Sequence, residues 1–209
     1  MDHTLLQCNT ASLWLRWLRR HNEISLYRTL RAIGWLMQYK LAVLDMESVT
    51  ARAIAEMAGQ SEGELMEKTR TFFAAEVLQA VAPKALEAVR RHRDEGHVMA
   101  ILSSSTPYMV EPLAAHLGIE HAICTRLKVS DDGRFEGTHV RPACYGEGKV
   151  HWAEAFAAEN GVDLGSSFFY SDSYSDLPML QRVGMARVVN PDARLKRHAR
   201  RVGWAVELW

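Results

Sequence analysis

Short apolar runs alternate with helical segments over the second half of the chain, and this pattern constrains the fold more than any other feature. The runs HVMAIL (97–102), SSFFYS (166–171) and MARVVN (185–190) have the length of buried strands. Segments with helical spacing lie between them, among them PKALEAVRRHRDEG and KVHWAEAFAAENG, and each of these two ends at a glycine. Alternating strands and helices predict an α/β fold with a doubly wound, Rossmann-like and mostly parallel sheet.

Two further strands are predicted beyond this alternation. AICTRLKV and RFEGTHV flank the turn residues SDDG (130–133), which favours an antiparallel hairpin. WAVEL, near the end of the chain, is predicted as a last strand after the helix PDARLKRHARRVG.

The first half of the chain has a different pattern, because helical segments follow one another from about Thr10 to Ala82. The four helical segments are ASLWLRWLRR, LYRTLRAIGWLMQYKLAVL, SVTARAIAEMAGQ and SEGELMEKTRTFFAAEVLQAV. Ser61 and Glu64 have the spacing of an N-terminal capping box. The change at Pro83 predicts an α/β core formed by residues 1–10 and 83–209, with an all-helical unit at 11–82.

The composition excludes several classes of protein. Lys plus Arg and Asp plus Glu number 25 each, so there is no overall charge that would attract nucleic acid. The three cysteines form no CxxC pair, which is typical of a reducing compartment. No apolar run reaches the length of a membrane span, and no secretory signal pattern is visible. We therefore expect a cytoplasmic protein that neither binds nucleic acid nor inserts stably into membranes.

Polar residues lie at strand ends and helix starts, where an open α/β sheet binds its ligands. They are Asp2 and Thr4 at the start of the chain, Ser103 after HVMAIL, Lys149 after YGEG, and Asp172 and Asp176 after SSFFYS. Mg²⁺ prefers oxygen ligands and is commonly held by one or two carboxylates together with a substrate phosphate. A transferring phosphoryl group needs cations and hydrogen-bond donors around it. The set therefore indicates chemistry on a phosphate.

The order and spacing of these segments resemble the haloacid dehalogenase (HAD) superfamily, in the branch that includes phosphoserine phosphatase. The first motif of that family is D-x-D-x-T, and MDHT matches its last four positions. AILSSSTPY supplies the second-motif serine, Ser103, and GEGK supplies the third-motif lysine, Lys149. YSDSYSDLPML matches the fourth motif, D-x-x-x-D, through Asp172 and Asp176. The similarity extends over nearly the whole chain.

The resemblance implies a role for each matching residue. Asp2 would be the general acid and then the general base, and its backbone carbonyl would contact Mg²⁺. Asp172 and Asp176 would ligate Mg²⁺, with Asp176 also able to orient Lys149. The phosphoryl group would be bound by Thr4, Ser103, Ser104 and Lys149. The helical unit at 11–82 would be a cap over the active site that excludes water.

The resemblance also implies a nucleophilic aspartate two positions before Asp2, so Met1 occupies the place between the two aspartates of the first motif. The apolar first strand would precede it and would be central in the sheet. Without that strand, two neighbouring strands would keep unpaired edges and the core would lose packing. We therefore expect the natural chain to begin upstream of Met1.

These patterns predict a Mg²⁺-dependent phosphatase that hydrolyses a small phosphorylated metabolite through an aspartyl-phosphate. Two alternatives stay open: a catalytically inactive phosphate-binding protein of the same fold, and a phosphotransferase that passes the phosphoryl group to an alcohol. Phosphoserine, histidinol phosphate and a phospholipid head group all remain candidate substrates. A zinc site at His116, His121 and Cys124 is disfavoured because their spacing matches no usual site.

Overall fold

The computed structural model describes residues 1–23 and 46–209. The predicted helix LYRTLRAIGWLMQYKLAVL lies entirely outside the described residues. The helices are α1 (Thr10–Arg20), α2 (Met46–Ala55), α3 (Glu62–Phe72), α4 (Pro83–Asp94), α5 (Pro107–Leu117), α6 (Glu147–Asn160), α7 (Leu177–Arg182) and α8 (Ala193–Val202). The strands are β1 (Ala100–Ser103), β2 (His121–Cys124), β3 (Leu127–Val129), β4 (Phe135–His139), β5 (Phe168–Ser171), β6 (Met185–Val189) and β7 (Val206–Glu207).

The parallel strands form two separate groups. β1 pairs in parallel with β2, with Ser103 opposite Cys124 at the carboxyl ends of the two strands. β5 pairs in parallel with β6, and β6 with β7. The strand-to-strand crossovers pass through α5, α7 and α8, as the alternating pattern predicts. Both groups place their carboxyl ends where polar residues follow.

The hairpin differs from its sequence prediction. AICTRLKV was expected to be one strand of it, but the structure divides this run at Thr125 and Arg126. The first part is β2 of the parallel sheet, and only β3 pairs antiparallel with β4. The buried Thr125 donates its backbone N–H to the Ser105 carbonyl and accepts a bond from the Cys144 N–H. These bonds end the pairing with β1 and redirect the chain.

The hairpin packs against the helical segments that precede Pro83. The N–H of Gly59 donates to the Phe135 carbonyl at 2.8 Å, and the Phe135 N–H donates to the Gln60 carbonyl at 3.0 Å. Ile54, Leu127 and Phe135 form the buried centre of an apolar cluster here. The division into a cap at 11–82 and a core at 1–10 and 83–209 stays a prediction.

Aromatic packing joins α1 to the end of α3. The Trp17 ring stacks on Trp14 and meets Phe72 edge-on, with ring centroids 5.2 and 5.8 Å away. Trp17, Phe72 and Leu6 are all buried in one cluster, which continues into the core beneath α4 and α5. Beyond α3 the helix loosens into a π-helical turn at Phe73–Val77. Ser61 caps α3 by accepting a bond from the Glu64 N–H, as the capping box predicts.

A cavity of about 470 Å³ separates the two groups of parallel strands. Its walls include β1 and β5, which share no ladder of hydrogen bonds. Ala85, Ala88 and Val89 of α4 line it, together with Ala153 and Phe156 of α6. Met1, Thr4 and Leu5 lie at its edge. Each of β1 and β5 therefore has a paired side and a side that faces the cavity.

The described residues contain no helix that combines the length and the apolarity needed to cross a bilayer.

Candidate active site

A buried ion pair lies at the carboxyl end of β5. Lys149, in the first turn of α6, contacts an Asp176 carboxylate oxygen at 2.7 Å, and both side chains are more than nine-tenths buried. The Ser171 hydroxyl donates to the same oxygen at 2.7 Å. Because two donors converge on one carboxylate oxygen, the lysine ammonium is held at a defined position. This pair is the electrostatic centre of the site.

The tight entry into α6 positions Lys149. Gly146 precedes the helix with φ of +52°. Gly148 follows, and a Cβ at that residue would overlap the backbone carbonyl oxygen of Ala143. The glycines in YGEGK thus let the helix start against the preceding loop, so that Lys149 enters the site from the first turn.

Asp172 lies beside this pair and is partly buried. It accepts a hydrogen bond of 3.2 Å from the Thr4 hydroxyl, and its backbone carbonyl accepts one from the Asp192 N–H. Burial raises the pKa of the Asp172 carboxyl, and the nearby α-amino group of Met1 opposes that change. A carboxylate that burial destabilises gains from any cation placed against it.

The α-amino group of Met1 is enclosed by the site's charged residues. Burial lowers its pKa, and the neighbouring Lys149 lowers it further. The carboxylates of Asp2, Asp172 and Asp176 act in the opposite direction. Lys149 and three carboxylates thus lie close to this amine.

Asp2 is held by the start of α1. One carboxylate oxygen accepts from the Thr10 N–H at 3.0 Å and from the Asn9 side-chain amide at 3.1 Å. The other accepts from the Thr10 hydroxyl at 2.9 Å. These three donors fix the orientation of the carboxylate that the resemblance assigns as acid and base.

The serines after β1 occupy two different environments. Ser103 is buried, and its hydroxyl accepts a bond of 3.2 Å from the Ser105 N–H. Ser104 is exposed. Among the described residues, the hydrogen bonds of Ser103 do not reach Lys149 or Asp172. The structure therefore bonds Lys149 to Asp176 and Thr4 to Asp172 in two neighbouring sets, while Asp2 and Ser103 have other partners.

Several residues that support the site were not singled out from the sequence. Ser171 contacts Asp176, and Thr10 and Asn9 hold Asp2. The Asp192 carboxylate accepts from the Tyr174 N–H at 2.7 Å and caps α8. The signal for Ser171 was present, since it is a polar residue at the end of an apolar strand.

The ligand atoms available at this site suit a hard divalent cation. Asp172 and Asp176 offer carboxylate oxygens, which are the ligands that Mg²⁺ prefers, and no soft sulfur ligand of the described residues belongs to these two hydrogen-bonded sets. One Asp176 oxygen already accepts two bonds, so Asp172 is the carboxylate with more freedom to bind a metal.

Comparison with known proteins places this site in a family. The sequence matches the haloacid dehalogenase-like hydrolases over residues 1–181. The chain belongs to this family. Over 210 residues it is 30% identical to a histidinol-phosphatase of Neisseria meningitidis. This alignment covers 99% of this chain and 95% of that relative. The family, and a hydrolase of the phosphatase class, are thereby confirmed as predicted.

Solved structures confirm the fold. A protein of unknown function from Bordetella pertussis Tohama I superposes with a TM-score of 0.89 at 27% identity, over 99% of this chain and 95% of that one. A phosphoserine phosphatase, solved as an analogue of its phospho-aspartyl intermediate, gives a TM-score of 0.71 at 18% identity. That match covers 100% of this chain and 90% of the other. The predicted HAD fold is thus correct.

Proposed function

We propose that this HAD-family protein is a Mg²⁺-dependent phosphatase that hydrolyses a small phosphomonoester through an aspartyl-phosphate. The observation that carries the proposal is the buried Lys149–Asp176 pair with Ser171, next to Asp172 and Thr4. Charged groups that converge in a partly enclosed site are typical of functional sites that bind a charged ligand. A phosphate with its metal ion is such a ligand.

The residues would divide the work as follows. Lys149 would neutralise the phosphate and the attacking carboxylate, and Thr4, Ser103 and Ser104 would donate hydrogen bonds to phosphate oxygens. Asp172, Asp176 and the Asp2 backbone carbonyl would hold Mg²⁺, which, when bound, would supply positive charge to the reacting phosphate.

Proton transfer would fall to Asp2. Protonated, it would donate to the leaving alkoxide as the bond between phosphorus and that oxygen breaks. As a carboxylate, it would then take a proton from the water that attacks the aspartyl-phosphate and releases inorganic phosphate. The Thr10 and Asn9 bonds would keep the Asp2 carboxylate oriented in both steps.

The attacking aspartate would lie on a strand that precedes Met1. The cavity between β1 and β5 supports this placement, since both strands offer an unpaired edge to it and Met1 lies at its rim. A parallel strand between them would join the two groups into a six-stranded parallel sheet. It would also deliver its last residues to the neighbourhood of Lys149 and Asp172.

The substrate is proposed to be a small phosphomonoester that also carries a primary amine. Histidinol phosphate and phosphoserine, the substrates in the names of two similar proteins, share these two groups. The cytoplasm is the proposed location, and a free metabolite is preferred over a phospholipid head group.

The deciding experiment is a phosphate-release assay on the protein produced with its upstream coding sequence. Histidinol phosphate, phosphoserine and a glycerophospholipid head group would be compared with and without Mg²⁺. We expect metal-dependent turnover that Asp172→Asn reduces at least 100-fold. Asp131→Asn is the matched control, because Asp131 is an exposed acid in the turn between β3 and β4.

Two outcomes would replace the proposal. Phosphate binding without turnover in the extended protein would favour the inactive binding protein. Transfer of the phosphoryl group to an added alcohol, in preference to water, would favour a phosphotransferase. Full activity of Asp172→Asn would remove the assignment of the metal site altogether.

A further inference from the structure

A second cluster of metal-binding side chains lies away from the candidate active site. His92 is near the end of α4, and Glu95 and His97 follow in the turn that leads to β1. One ligand atom from each of the three lies within 4.8 Å of the others. Ser103 marks the carboxyl end of β1, whereas His97 precedes that strand, so the cluster is at the opposite edge of the sheet.

One separation within the cluster equals that of a tetrahedral zinc site, and a second is shorter. The two Nδ1 atoms of His92 and His97 are 2.9 Å apart, and His97 Nδ1 is 3.4 Å from a Glu95 carboxylate oxygen. Zinc bonds of about 2.0–2.1 Å with tetrahedral angles separate neighbouring ligand atoms by roughly 3.3–3.4 Å. The 2.9 Å contact is a hydrogen bond between the two imidazoles, so metal binding would replace its proton, which would leave to solvent, and would open the pair by a few tenths of an ångström.

Hydrogen bonds outside the cluster already orient one ligand. His92 Nε2 lies 2.8 Å from the Tyr170 hydroxyl oxygen, and that oxygen also accepts a bond of 2.9 Å from Arg91. If Nε2 carries the proton, Nδ1 presents its lone pair to the other ligands. A metal-binding histidine usually donates its second N–H in this way, and such outer bonds fix the tautomer.

The surroundings contain both favourable and opposing charges. The end of α4 has the negative pole of the helix dipole, which favours a cation, and Glu95 supplies a full negative charge. Arg91 and Arg187 oppose a cation, although Arg91 is bonded to Tyr170 and Arg187 lies over the Phe168 ring. Glu95 and His97 are about half exposed, so water can complete the coordination.

We propose that His92, Glu95 and His97 form a binding site for a transition-metal ion of the Zn²⁺ class, distinct from the proposed Mg²⁺ site. Imidazole nitrogens select such an ion over Mg²⁺. Three protein ligands leave a fourth position for water. Bound metal would tie the turn before β1 to α4, and through Tyr170 to β5.

Metal titration of the tag-free, chelator-treated full chain tests the proposal. Zn²⁺ would be titrated in competition with a chromophoric chelator, and Co²⁺ would be followed by its visible spectrum. We expect one site per chain, intense visible Co²⁺ bands typical of four-coordination, and a rise in the melting temperature with Zn²⁺. Absence of a near-ultraviolet sulfur-to-cobalt band would show that the thiols are not ligands.

Four variants test whether these residues bind the metal. His97→Ala should weaken Zn²⁺ binding at least tenfold, and Glu95→Gln should weaken it measurably; both replace exposed side chains, so the fold should persist. Tyr170→Phe should weaken it about tenfold through the lost outer bond. His116→Ala, at an exposed histidine of α5, should bind as the parent does. Absence of Zn²⁺ binding, or equal affinity in His97→Ala and His116→Ala, would overturn the proposal.

Discussion

The Lys149–Asp176 pair shows how far single residues depend on one another in this protein. Each charge would be strongly disfavoured alone at its position, because both side chains are more than nine-tenths buried. Ser171 adds a hydrogen bond to the same carboxylate oxygen. The pair is therefore a unit, and removing one member leaves the other buried without a counter-charge.

Asp176→Asn should lower the free energy of unfolding by about 3 kcal/mol, because Lys149 would stay buried without its counter-charge. Urea denaturation measures the change. The double variant Lys149→Met with Asp176→Leu should recover most of the loss. Glu154→Gln is the control, since its 2.6 Å pair with Arg182 is about half exposed and should contribute less than about 1 kcal/mol.

Asp2 allows a test that separates catalysis from capping. In the upstream-extended protein, Asp2→Asn should reduce kcat by about 100-fold or more through loss of the acid and base. The change in stability should be only about 1 kcal/mol, because an amide oxygen still accepts from Thr10. Steady-state kinetics and urea denaturation measure the two effects.

Asn9→Ala is the matched comparison. It removes the bond to Asp2 and the cap on the Ser12 N–H. We expect a similar loss of stability with a much smaller loss of kcat. Equal kinetic losses in the two variants would mean that Asp2 acts only through the start of α1.

At the scale of elements, the sequence predicted helices and parallel strands well and irregular pairing poorly. Glycine stops indicated the ends of α5 and α6, where Gly118 and Gly161 adopt positive φ. The run AICTRLKV was misassigned because its division depends on Thr125, whose partners Ser105 and Cys144 are distant in sequence. Periodicity contains no information about such contacts.

The candidate site, too, could be predicted from the sequence only in part. Asp172, Asp176 and Lys149 could be selected from motifs, since each stands at a strand end or helix start. Ser171 also stands at a strand end, but neither its partner nor that of Thr10 is visible until the chain is folded. Spacing indicates which residues reach the edge of the sheet, but not which acceptor each donor will meet there.

The start of α6 should be sensitive to a single methyl group. Gly148→Ala would place a Cβ on the Ala143 carbonyl, so the first turn must shift and move Lys149. We expect a loss of about 1–3 kcal/mol on urea denaturation. Gly63→Ala, in the first turn of α3, has free space for the methyl group and should be neutral or stabilising by up to about 1 kcal/mol.

The cysteines should differ in reactivity according to the elements that bury them. Burial raises the pKa of Cys124, at the end of β2, to about 11 and that of Cys144 to about 12. The half-buried Cys8 also has a raised pKa, mainly from burial. Because the thiolate reacts, iodoacetamide at pH 8 should modify Cys8 first and Cys144 last.

Mass spectrometry of timed samples measures that order. Raising the pH towards 10 should speed the reaction of all three cysteines, because the thiolate fraction of each grows, and Cys144 should still react last. In denaturant the three rates should converge. Rapid modification of Cys144 in the folded protein would contradict its enclosed position.

At the scale of the whole molecule, the cavity between β1 and β5 should make these two strands less protected from local opening than β6. β6 has a partner on both sides, whereas β1 and β5 each have one. Amide hydrogen exchange of the chain Met1–Trp209 should therefore be slowest in β6 and faster in β1 and β5. Mass spectrometry of peptides from the three strands measures this difference.

The upstream-extended protein provides the comparison. If a strand occupies the cavity, exchange in β1 and β5 should slow to approach that in β6, while β7 changes little. Unchanged exchange in both strands would contradict the proposed placement of the preceding segment.

The direction in which the unpaired edges face has a consequence for solubility. Open strand edges are templates on which other molecules add strands and aggregate. Here the free edges of β1 and β5 face each other across the cavity, between α4 and α6. The outer edges of the parallel sheets belong to β2 and β7, which have four and two residues. Within the described residues, the parallel sheets therefore offer neighbouring copies little edge on which a fibril could grow.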